Sequence, residues 1–309
     1  MNTVEVFAPA TIGNIGPGFD VLGLAIEGMG DIVKARNISG NKLIIENILN
    51  SDHDISLDPT KNTAGIAAQK ALDLLNIKSG VSLEIIKGMP SGSGLGSSAA
   101  SAVAGANAIN CLFGNQLSKE QLLTASMEGE YAVSGGYFAD NVAPAIYGGA
   151  TLTRSLNPLK ITALGTINDL IIILVMPKIK ILTKESRKII PKSILLSDCI
   201  NNMANTASIT AAFCKNDYSL IKNNLFDFII EPKRSLLIKG FAEAKEAALK
   251  AGADGMTISG SGPTVFAITN SKNKVELIKS SIISSFNNIN IQCKYLISSV
   301  SKEGTKQIN

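Results

Sequence analysis

A stretch rich in glycine and serine, residues 90–101, has the composition of a backbone anion site. Its three glycines, at positions 92, 94 and 96, can adopt positive φ angles and let backbone N–H groups approach a ligand closely. Ser97 and Ser98 follow at positions that favour helix N-caps, at the positive end of the predicted helix. Free amides, a helix dipole and hydroxyl groups that face one point bind anions, most often phosphate. The stretch therefore predicts a phosphate-binding loop.

This loop matches neither of the common phosphate-binding motifs. A P-loop requires Lys-Ser or Lys-Thr after its last glycine, whereas Gly96 is followed by Ser97. The dinucleotide fingerprint fails because Ser97 also stands where its third glycine should be. A flexible serine-glycine linker is the alternative. We favour the phosphate loop, because the stretch lies between a predicted strand, residues 81–87, and a long apolar helix, residues 99–113.

Several other polar residues lie on predicted loops or at helix ends. Asn14 and Asp20 belong to a glycine- and proline-rich segment between apolar strands, where turn formation alone would explain either residue. Glu128 and Glu130 lie near the C-terminal end of a predicted helix, where the dipole disfavours carboxylates. A solvated face explains one of these two glutamates, and a bound cation would explain the other.

Arg187 and Arg234 each have a nearby glutamate, Glu185 and Glu231 respectively. A surface position or a local ion pair would therefore explain either arginine when it is taken alone. A glycine-rich turn at residues 259–263 joins two predicted strands and is longer than a tight hairpin requires. We expect this turn to approach another part of the molecule or a ligand.

Composition limits the class of protein. The chain has 309 residues, 45% of them hydrophobic and 17% charged, which is enough for two domains or for one large domain. The net charge is +4 and the basic residues are scattered, so we expect no nucleic-acid partner. The longest apolar run, residues 170–176, is too short to span a bilayer, and no signal peptide is apparent. We therefore expect a cytoplasmic protein without a membrane partner.

The cysteines and the single histidine narrow the possible chemistry. Cys111, Cys199, Cys214 and Cys293 are far apart and form neither a metal-site spacing nor a disulfide framework, as expected of reduced thiols in a cytosolic protein. His53 lies in a polar stretch that we predict to be a surface loop. Because the chain has only this one histidine, we expect neither histidine-based catalysis nor a histidine-rich metal site.

The elements that must position these residues follow an α+β pattern. The first half predicts helices at 62–75, 99–113 and 118–132, and strands, partly as a meandering sheet, at 4–8, 21–27, 31–37, 42–48, 81–87 and 150–154. Composition changes after residue 158, where we place a domain boundary. The second half has the split βαβ order of a ferredoxin-like domain, with several helices between 184 and 251 in the first crossover, a helix at 274–286 and strands at 170–176, 254–259, 264–268 and 291–298.

Three glycine-rich segments, residues 9–20, 90–101 and 257–263, resemble the motifs of the GHMP kinase family in order and spacing, over nearly the whole chain. Within this family the chain is most similar to the homoserine kinase branch, through residues 8–24, 139–145, 183–187 and 231–234. The resemblance implies two domains, 1–158 and 159–309. The first would be like domain 2 of ribosomal protein S5 and the second ferredoxin-like, with the site between them.

The resemblance also implies ATP-dependent phosphorylation of the side-chain hydroxyl of L-homoserine to O-phospho-L-homoserine, a step of threonine biosynthesis. Asn62 would contact adenine, and the turn from the second domain would close the site. The implied ATP-binding residues are Asn62, Pro90, Ser91, Gly92, Ser93, Gly94, Leu95, Gly96, Ser97, Ser98, Ser101, Ser259, Gly260, Ser261 and Gly262. Ser98 and Glu130 would hold Mg²⁺. The implied homoserine ligands are Asn14, Asp20, Asn141, Arg187 and Arg234.

These residue types suit an amino acid as substrate, because arginines bind its carboxylate and Asp20 binds its ammonium group. The implied catalytic group is Ser98, Glu130, Asp140 and Asn141. Phosphoryl transfer depends mainly on positioning and charge stabilisation, so we expect direct attack by the hydroxyl. Some relatives in the wider family use an aspartate base near the position of Asp140, but we expect no obligatory base here.

One residue departs from the pattern of this branch. Phe138 stands where its members usually carry histidine, so a polar contact is missing or supplied elsewhere. Two other functions stay open: a kinase of the same family that acts on mevalonate, shikimate or a sugar, and a ligand-binding regulator that kept the fold and lost catalysis. The resemblance further implies a homodimer.

Overall fold

The computed structural model describes residues 3–51, 54–181 and 183–309. His53, which we predicted on a surface loop, lies outside the described residues. The strands are β1 Thr3–Gly13, β2 Leu22–Ile38, β3 Leu43–Leu49, β4 Gly80–Ile86, β5 Ala150–Leu156, β6 Leu159–Gly165, β7 Ile171–Pro177, β8 Gly255–Ile258, β9 Val265–Thr269, β10 Cys293–Ser298 and β11 Lys306–Gln307. The helices are α1 Thr63–Leu75, α2 Ser97–Leu112, α3 Lys119–Ser134, α4 Val142–Tyr147, α5 Thr183–Lys188, α6 Leu196–Lys215, α7 Tyr218–Ile221, α8 Glu231–Arg234, α9 Phe241–Lys250 and α10 Val275–Asn287.

The first sheet contains seven of these strands. Its main path is β11-β1-β2-β4-β3, and β5 pairs with β2 and with β6. Strands β3 and β4 are parallel and are connected through α1, whereas the other pairs are antiparallel. Helix α2 packs on β1 and β2 and also on α1 and α3. The beginning of α2 therefore lies where the sheet, α1 and α3 come together.

The predicted meander was wrong in two respects. We expected separate strands at 21–27 and 31–37, but β2 is one continuous strand, and β3 pairs with β4 rather than with β2. The expected gap between these strands, residues 28–30, contains two glycines. A Cβ on Gly30 would lie 2.3 Å from the carbonyl oxygen of Ala8, so glycine here permits the close approach of β1. Gly28 takes a φ of 81° within the same strand.

Small residues let the three long helices of the first domain pack closely. A Cβ on Gly105 of α2 would lie 2.6 Å from the carbonyl oxygen of Ala64 in α1. A Cβ on Gly129 of α3 would lie 2.4 Å from the carbonyl oxygen of Thr63, so the C-terminal half of α3 lies beside the first turns of α1 and α2.

Helix α3 begins with the predicted capping box, in which Ser118 accepts from the N–H of Gln121 and the side chain of Gln121 accepts from the N–H of Ser118.

The second sheet has the predicted ferredoxin-like topology. Its antiparallel strands follow the order β10-β7-β9-β8, with α9 before β8 and α10 between β9 and β10. Successive side chains of a strand point to opposite faces of the sheet, so the residues of β7 belong alternately to two hydrophobic cores. Ile172 and Leu174 join the core of the first sheet, whereas Ile173 and Val175 pack in the core with residues of α9 and α10.

The two sheets are joined through more than one connection. Strand β6 follows the expected boundary at residue 158 and pairs with β5, and β11 near the C-terminus pairs with β1. The division into 1–158 and 159–309 stays a prediction. In the part of the chain that the structure describes, no helix is long and apolar enough to cross a membrane.

Candidate active site

The three glycine-rich segments meet between the two sheets, where backbone hydrogen bonds connect them. The N–H of Thr11 donates to the carbonyl of Leu95 at 3.0 Å, and the N–H of Thr264 donates to the carbonyl of Ser93 at 3.1 Å. Thr11 belongs to the first sheet, whereas Thr264 lies in the turn between β8 and β9 of the second. The shape of the predicted phosphate loop therefore depends on both domains.

The glycines of this loop have the predicted positive φ angles. They are 65° at Gly92, 83° at Gly94 and 66° at Gly96. A Cβ on Gly94 would lie 2.5 Å from the carbonyl oxygen of Ser259, whose hydroxyl donates to the Gly94 carbonyl at 2.7 Å. The loop is thus held by contacts that leave no room for a side chain, unlike a flexible linker.

The expected N-cap of α2 was wrong by one or two residues. Gly96 occupies the cap position, and Ser97 and Ser98 are the first two residues of the helix. A Cβ on Gly96 would lie 2.0 Å from Oγ1 of Thr11, which explains why a serine cannot take the cap position. Glycine has no side chain with which to cap the helix, so the first amides of α2 stay accessible to an anion.

A cavity of about 390 Å³ opens at this junction. The predicted site residues that line it are Asn14, Asp20, Asn62, Ser91, Gly92, Ser93, Gly94, Gly96, Ser97, Ser98, Ser101, Glu130, Asp140, Asn141, Arg187, Arg234, Gly260 and Ser261. Pro90, Leu95, Ser259 and Gly262 are not among its lining residues. Leu95 is fully buried, and the hydroxyl of Ser259 binds the loop, so these two side chains support the cavity wall from behind.

Glu130 and Ser98, both half-buried, form a polar pair at the start of α2. Burial raises the pKa of the Glu130 carboxyl to about 7; a hydrogen bond from Ser98 opposes this shift, and the charge of Asp140 adds to it. The Oε2 atom of Glu130 is buried and has no hydrogen-bond partner. An unpaired carboxylate oxygen beside a hydroxyl is a suitable ligand pair for a hard cation such as Mg²⁺. The described residues contain no cluster of three or more acidic, histidine or cysteine side chains that could hold a metal by themselves. Phosphate oxygens would have to complete such a site.

Asp20 and Arg187 form a bidentate ion pair across the cavity. Nη1 and Nη2 of Arg187 donate to the two carboxylate oxygens of Asp20 at 3.0 and 2.7 Å. The local pairs that we considered for the arginines were wrong, because Arg187 pairs with Asp20 and Glu231 pairs with Lys245. Asp20 therefore has a cationic partner of its own in this structure.

Arg234 is the second cation at this end of the cavity. It is 3% exposed, and its Nη1 donates to the carbonyl of Gly260 at 2.8 Å. Burial, and then the charge of Arg187, lower the pKa of Arg234 to about 10. The Nε atoms of both arginines are buried without a hydrogen-bond partner, so each guanidinium keeps a donor for a further acceptor.

Asp140 and Asn141 lie at the start of α4, as predicted. Asn141 accepts from the hydroxyl of Thr11 at 2.9 Å, and its amide donates to Oδ2 of Asp140 at 3.3 Å. Burial raises the pKa of Asp140 to about 7, and the charge of Asp20 adds to this effect, whereas the two arginines oppose it. The cavity wall thus contains two buried carboxyl groups that titrate near neutral pH.

Asn14 connects the first glycine-rich segment to the turn of the second domain. Its amide donates to the carbonyl of Gly260 at 3.0 Å, and its side-chain oxygen accepts from the N–H of Asp20 at 3.0 Å. Both residues have positive φ, 71° at Asn14 and 58° at Asp20. The turn-forming interpretation of these residues is therefore right, and it coexists with their position in the cavity wall.

Asn62 is the N-cap of α1, where its side-chain oxygen accepts from the N–H of Ala64 at 3.0 Å. Its amide donates to the carbonyl of Ser56 at 3.0 Å. Three isoleucines line the same end of the cavity, Ile48, Ile55 and Ile85. This end is accordingly the more apolar part of the site.

A buried ion pair that the sequence did not predict lies next to the first turns of α2, close to the predicted phosphate loop. The ammonium group of Lys87 pairs with Asp31, and it donates to Oγ of Ser101 at 2.7 Å and to the carbonyl of Ser97 at 3.2 Å. The hydroxyl of Ser101 donates to Asp31 at 2.6 Å. The sequence offered only a charged residue at one end of each of two predicted strands, Asp31 at the start of 31–37 and Lys87 at the end of 81–87. Ser101, predicted to bind ATP, is thus part of this buried network.

Both halves of the chain are similar to domains of a known kinase family. The model of the GHMP kinase N-terminal domain matches residues 62–149, and that of the GHMP kinase C-terminal domain matches residues 209–288. A homoserine kinase of Chloroherpeton thalassium is 39% identical over 317 residues, which cover 99% of each chain. The chain belongs to the homoserine kinase branch of the GHMP kinase family. The family predicted from the three glycine-rich segments is therefore confirmed.

Two further relatives align with most of this chain. A homoserine kinase of Arabidopsis thaliana is 40% identical over 291 residues, which cover 92% of this chain and 78% of that protein. The crystal structure of a homoserine kinase from Cytophaga hutchinsonii is 42% identical, with a TM-score of 0.95 over 100% of this chain and 98% of that one. The predicted two-domain GHMP kinase fold is confirmed.

Proposed function

We propose that this GHMP kinase transfers the γ-phosphate of ATP to the side-chain hydroxyl of L-homoserine and releases O-phospho-L-homoserine. The observation that carries the proposal is the charge set at one end of the cavity. One aspartate, the half-buried Arg187 and the buried Arg234 complement the ammonium and carboxylate groups of an amino acid. Mevalonate and shikimate carry a carboxylate but no ammonium group for Asp20, and most sugars carry neither.

ATP would occupy the loop and the more apolar end of the cavity. Residues 91–98 offer backbone amides at the start of α2, where an anion is favoured by the helix dipole. The isoleucines near Asn62 would contact the adenine ring. The turn of residues 259–262 would close the site, since it is already bonded to the loop through Ser259.

Ser98 and Glu130 would hold Mg²⁺ together with phosphate oxygens of the nucleotide. The buried and unpartnered Oε2 of Glu130 supports this assignment, because a cation would supply the missing partner. When bound, the ion would neutralise charge that develops on the transferred phosphoryl group. The raised pKa of Glu130 predicts that ion binding competes with a proton near neutral pH.

Asn14, Asp20, Asn141, Arg187 and Arg234 would bind homoserine. Asp20 and Arg187 pair with each other in this structure, so binding would exchange their mutual contact for two contacts to the substrate. Charge is conserved in this exchange, because the ammonium group replaces Arg187 beside Asp20 and the carboxylate replaces Asp20 beside Arg187. A zwitterion suits such an exchange better than a simple anion does.

The substrate hydroxyl would attack the γ-phosphate directly. Positioning of the two reactants can supply about 7–11 kcal/mol of the barrier, so a strong base is not required. Asp140, with a pKa of about 7, is the carboxyl group suited to accept a proton in this region. We expect Asp140→Asn to keep turnover within about 100-fold of wild type; a loss near 10⁴-fold at unchanged KM would assign it the role of base.

The first experiment measures ATP consumption and product formation with L-homoserine, alongside L-threonine, L-serine, shikimate and mevalonate, in the presence of Mg²⁺. Turnover confined to homoserine supports the proposal. Turnover with another alcohol would move the chain to a different substrate of the same fold. ATP binding without any turnover would instead identify a regulator.

We further propose a homodimer that works in the cytoplasm. Large apolar side chains are exposed around the start of α6: Leu195, Leu196, Ile200 and Met203. Such a patch is suited to contact with a second copy. The four cysteines, all within the described residues, are free thiols, as expected in a reducing compartment. Light scattering at micromolar concentration tests the dimer, and a monomeric mass would contradict it.

A further inference from the structure

Phe138 contacts Arg187 across the junction between the two domains. Phe138 follows α3 of the first domain, whereas Arg187 lies on α5, which follows the first strand of the second sheet. The guanidinium carbon of Arg187 lies 3.5 Å from the ring centroid of Phe138. A planar guanidinium stacks on an aromatic face through dispersion and through the ring quadrupole. One face of the Arg187 side chain is therefore attached to the first domain.

The ring of Phe138 is held in place by the chain that precedes it. A Cβ on Gly136 would lie 2.6 Å from Cζ and 2.7 Å from Cε2 of the ring. Because Gly136 has no side chain, the ring can lie directly against the backbone at this point. The φ of Gly136 is not positive, so glycine is not required here for conformational reasons. Its lack of a side chain makes room for the ring.

Asp20 and Phe138 contact different parts of the same guanidinium. Asp20 accepts from Nη1 and Nη2 along one edge, and a substrate carboxylate would use an edge of the same kind. Phe138 covers the face of the group, which a carboxylate does not use. Asp20 can therefore be replaced by a substrate carboxylate while the contact with Phe138 stays in place.

We propose that Phe138 is a positioning residue, which holds Arg187 in the site while its carboxylate partner changes from Asp20 to the substrate. This proposal rests on the proposed function and adds a residue that acts on substrate affinity through Arg187. The ring donates no hydrogen bond to the substrate. Its contribution is to keep a long, rotatable side chain in the orientation that the carboxylate requires.

Kinetic constants of four variants test this role. Phe138→Leu keeps an apolar side chain but removes the aromatic face, and we expect the KM for homoserine to rise about 3- to 20-fold. Phe138→Tyr keeps the face and should lie within twofold of wild type. Gly136→Ala keeps every site residue but displaces the ring, so it should resemble Phe138→Leu. Tyr137→Leu is the matched control, since Tyr137 is 42% exposed and stacks on Tyr131 instead. The KM for ATP should change less than twofold in all four.

Hydrogen exchange without any ligand tests the same contact independently of turnover. Backbone amides of residues 183–188 should exchange faster in Phe138→Leu and Gly136→Ala than in wild type, and at the wild-type rate in Phe138→Tyr. Equal exchange in all variants, or an equal rise in both KM values, would overturn the proposal. If the wild-type protein does not phosphorylate homoserine, the proposed function fails, and the exchange rates still decide whether Phe138 holds Arg187.

Discussion

Replacing Glu130 by glutamine is expected to stabilise the protein at alkaline pH while it abolishes efficient catalysis. Glutamine has the shape of the protonated carboxyl group but cannot ionise. The Glu130 carboxyl is buried, its Oε2 lacks a hydrogen-bond partner, and its pKa is raised from 4.5 to about 7, mainly by burial. The folded protein therefore binds this proton more tightly than the unfolded chain does.

The pH dependence follows from this difference in proton binding. Below pH 4.5 the carboxyl is protonated in both states and has no effect on the free energy of unfolding. Between pH 4.5 and about 7 the unfolded chain ionises first, so the stability of the folded protein falls. Above pH 7 the loss is complete. A difference of about 2.5 pKa units corresponds to about 3 kcal/mol.

Thermal unfolding without ligands measures this effect. At pH 8 the Glu130→Gln variant should be more stable than wild type by about 3 kcal/mol, or about 5 °C in Tm. At pH 5 the difference should fall below about 1 kcal/mol. Glu128→Gln is the matched control on the same helix, because the Glu128 side chain accepts a hydrogen bond from Tyr137 at the surface. Glu128→Gln should show neither the gain in stability at pH 8 nor its dependence on pH.

Addition of Mg²⁺ and ADP extends the same test to the proposed metal ligand. The wild-type protein should gain more stability than Glu130→Gln, because only the carboxylate can pair with the cation. A variant no more stable than wild type at pH 8, or a difference that does not change between pH 5 and 8, would refute the burial argument. Equal gains with Mg²⁺ and ADP would refute the assignment of Glu130 as a metal ligand.

Three further predictions concern the loop, the ion pair close to it and the substrate charges. Gly94→Ala should reduce kcat/KM at least about 100-fold and destabilise the protein by about 1–3 kcal/mol, because its Cβ would lie 2.5 Å from a carbonyl oxygen. Gly92→Ala should do much less, because a Cβ there would meet only the carbonyl oxygen of Ile181, at 3.9 Å. Lys87→Met should destabilise by about 3–5 kcal/mol in urea unfolding, because it leaves Asp31 buried and unpaired. Asp20→Asn should raise the KM for homoserine about 10- to 100-fold and leave the KM for ATP unchanged.

Each of these predictions has an outcome that contradicts it. Equal losses in the two glycine variants would show that φ, and not the contact with the second domain, limits the loop. A Lys87→Met protein as stable as wild type would show that the buried pair contributes little. A rise in the KM for ATP on replacing Asp20 would place this residue at the nucleotide rather than at the amino acid.

Much of the fold could be predicted because local chemistry and tertiary structure agree. The ferredoxin-like order of the second half followed from apolar periodicity alone, and the capping box of Ser118 and Gln121 located the start of α3. The break expected within β2, at residues 28–30, was wrong. Only the partner strand shows that Gly30 makes room for a carbonyl group.

The candidate site was predicted less completely for a related reason. Residue types and family resemblance gave the loop, the two arginines and the acidic residues, since these carry recognisable patterns. The pairing of Asp20 with Arg187 and the pair of Lys87 with Asp31 join residues that are 167 and 56 positions apart. The first contact depends on how the two sheets are assembled, and the second depends on the pairing of β2 with β4. Local periodicity reports neither.

The unsatisfied polar atoms of the cavity show why binding and stability are linked in this protein. The Oε2 atom of Glu130 and the Nε atoms of Arg187 and Arg234 are buried without hydrogen-bond partners. A buried donor or acceptor without a partner costs about 1–3 kcal/mol, and more when it is charged. These atoms lie where a cation and a carboxylate would supply the missing partners. Ligands that satisfy them should therefore raise Tm more than their contact area alone would suggest.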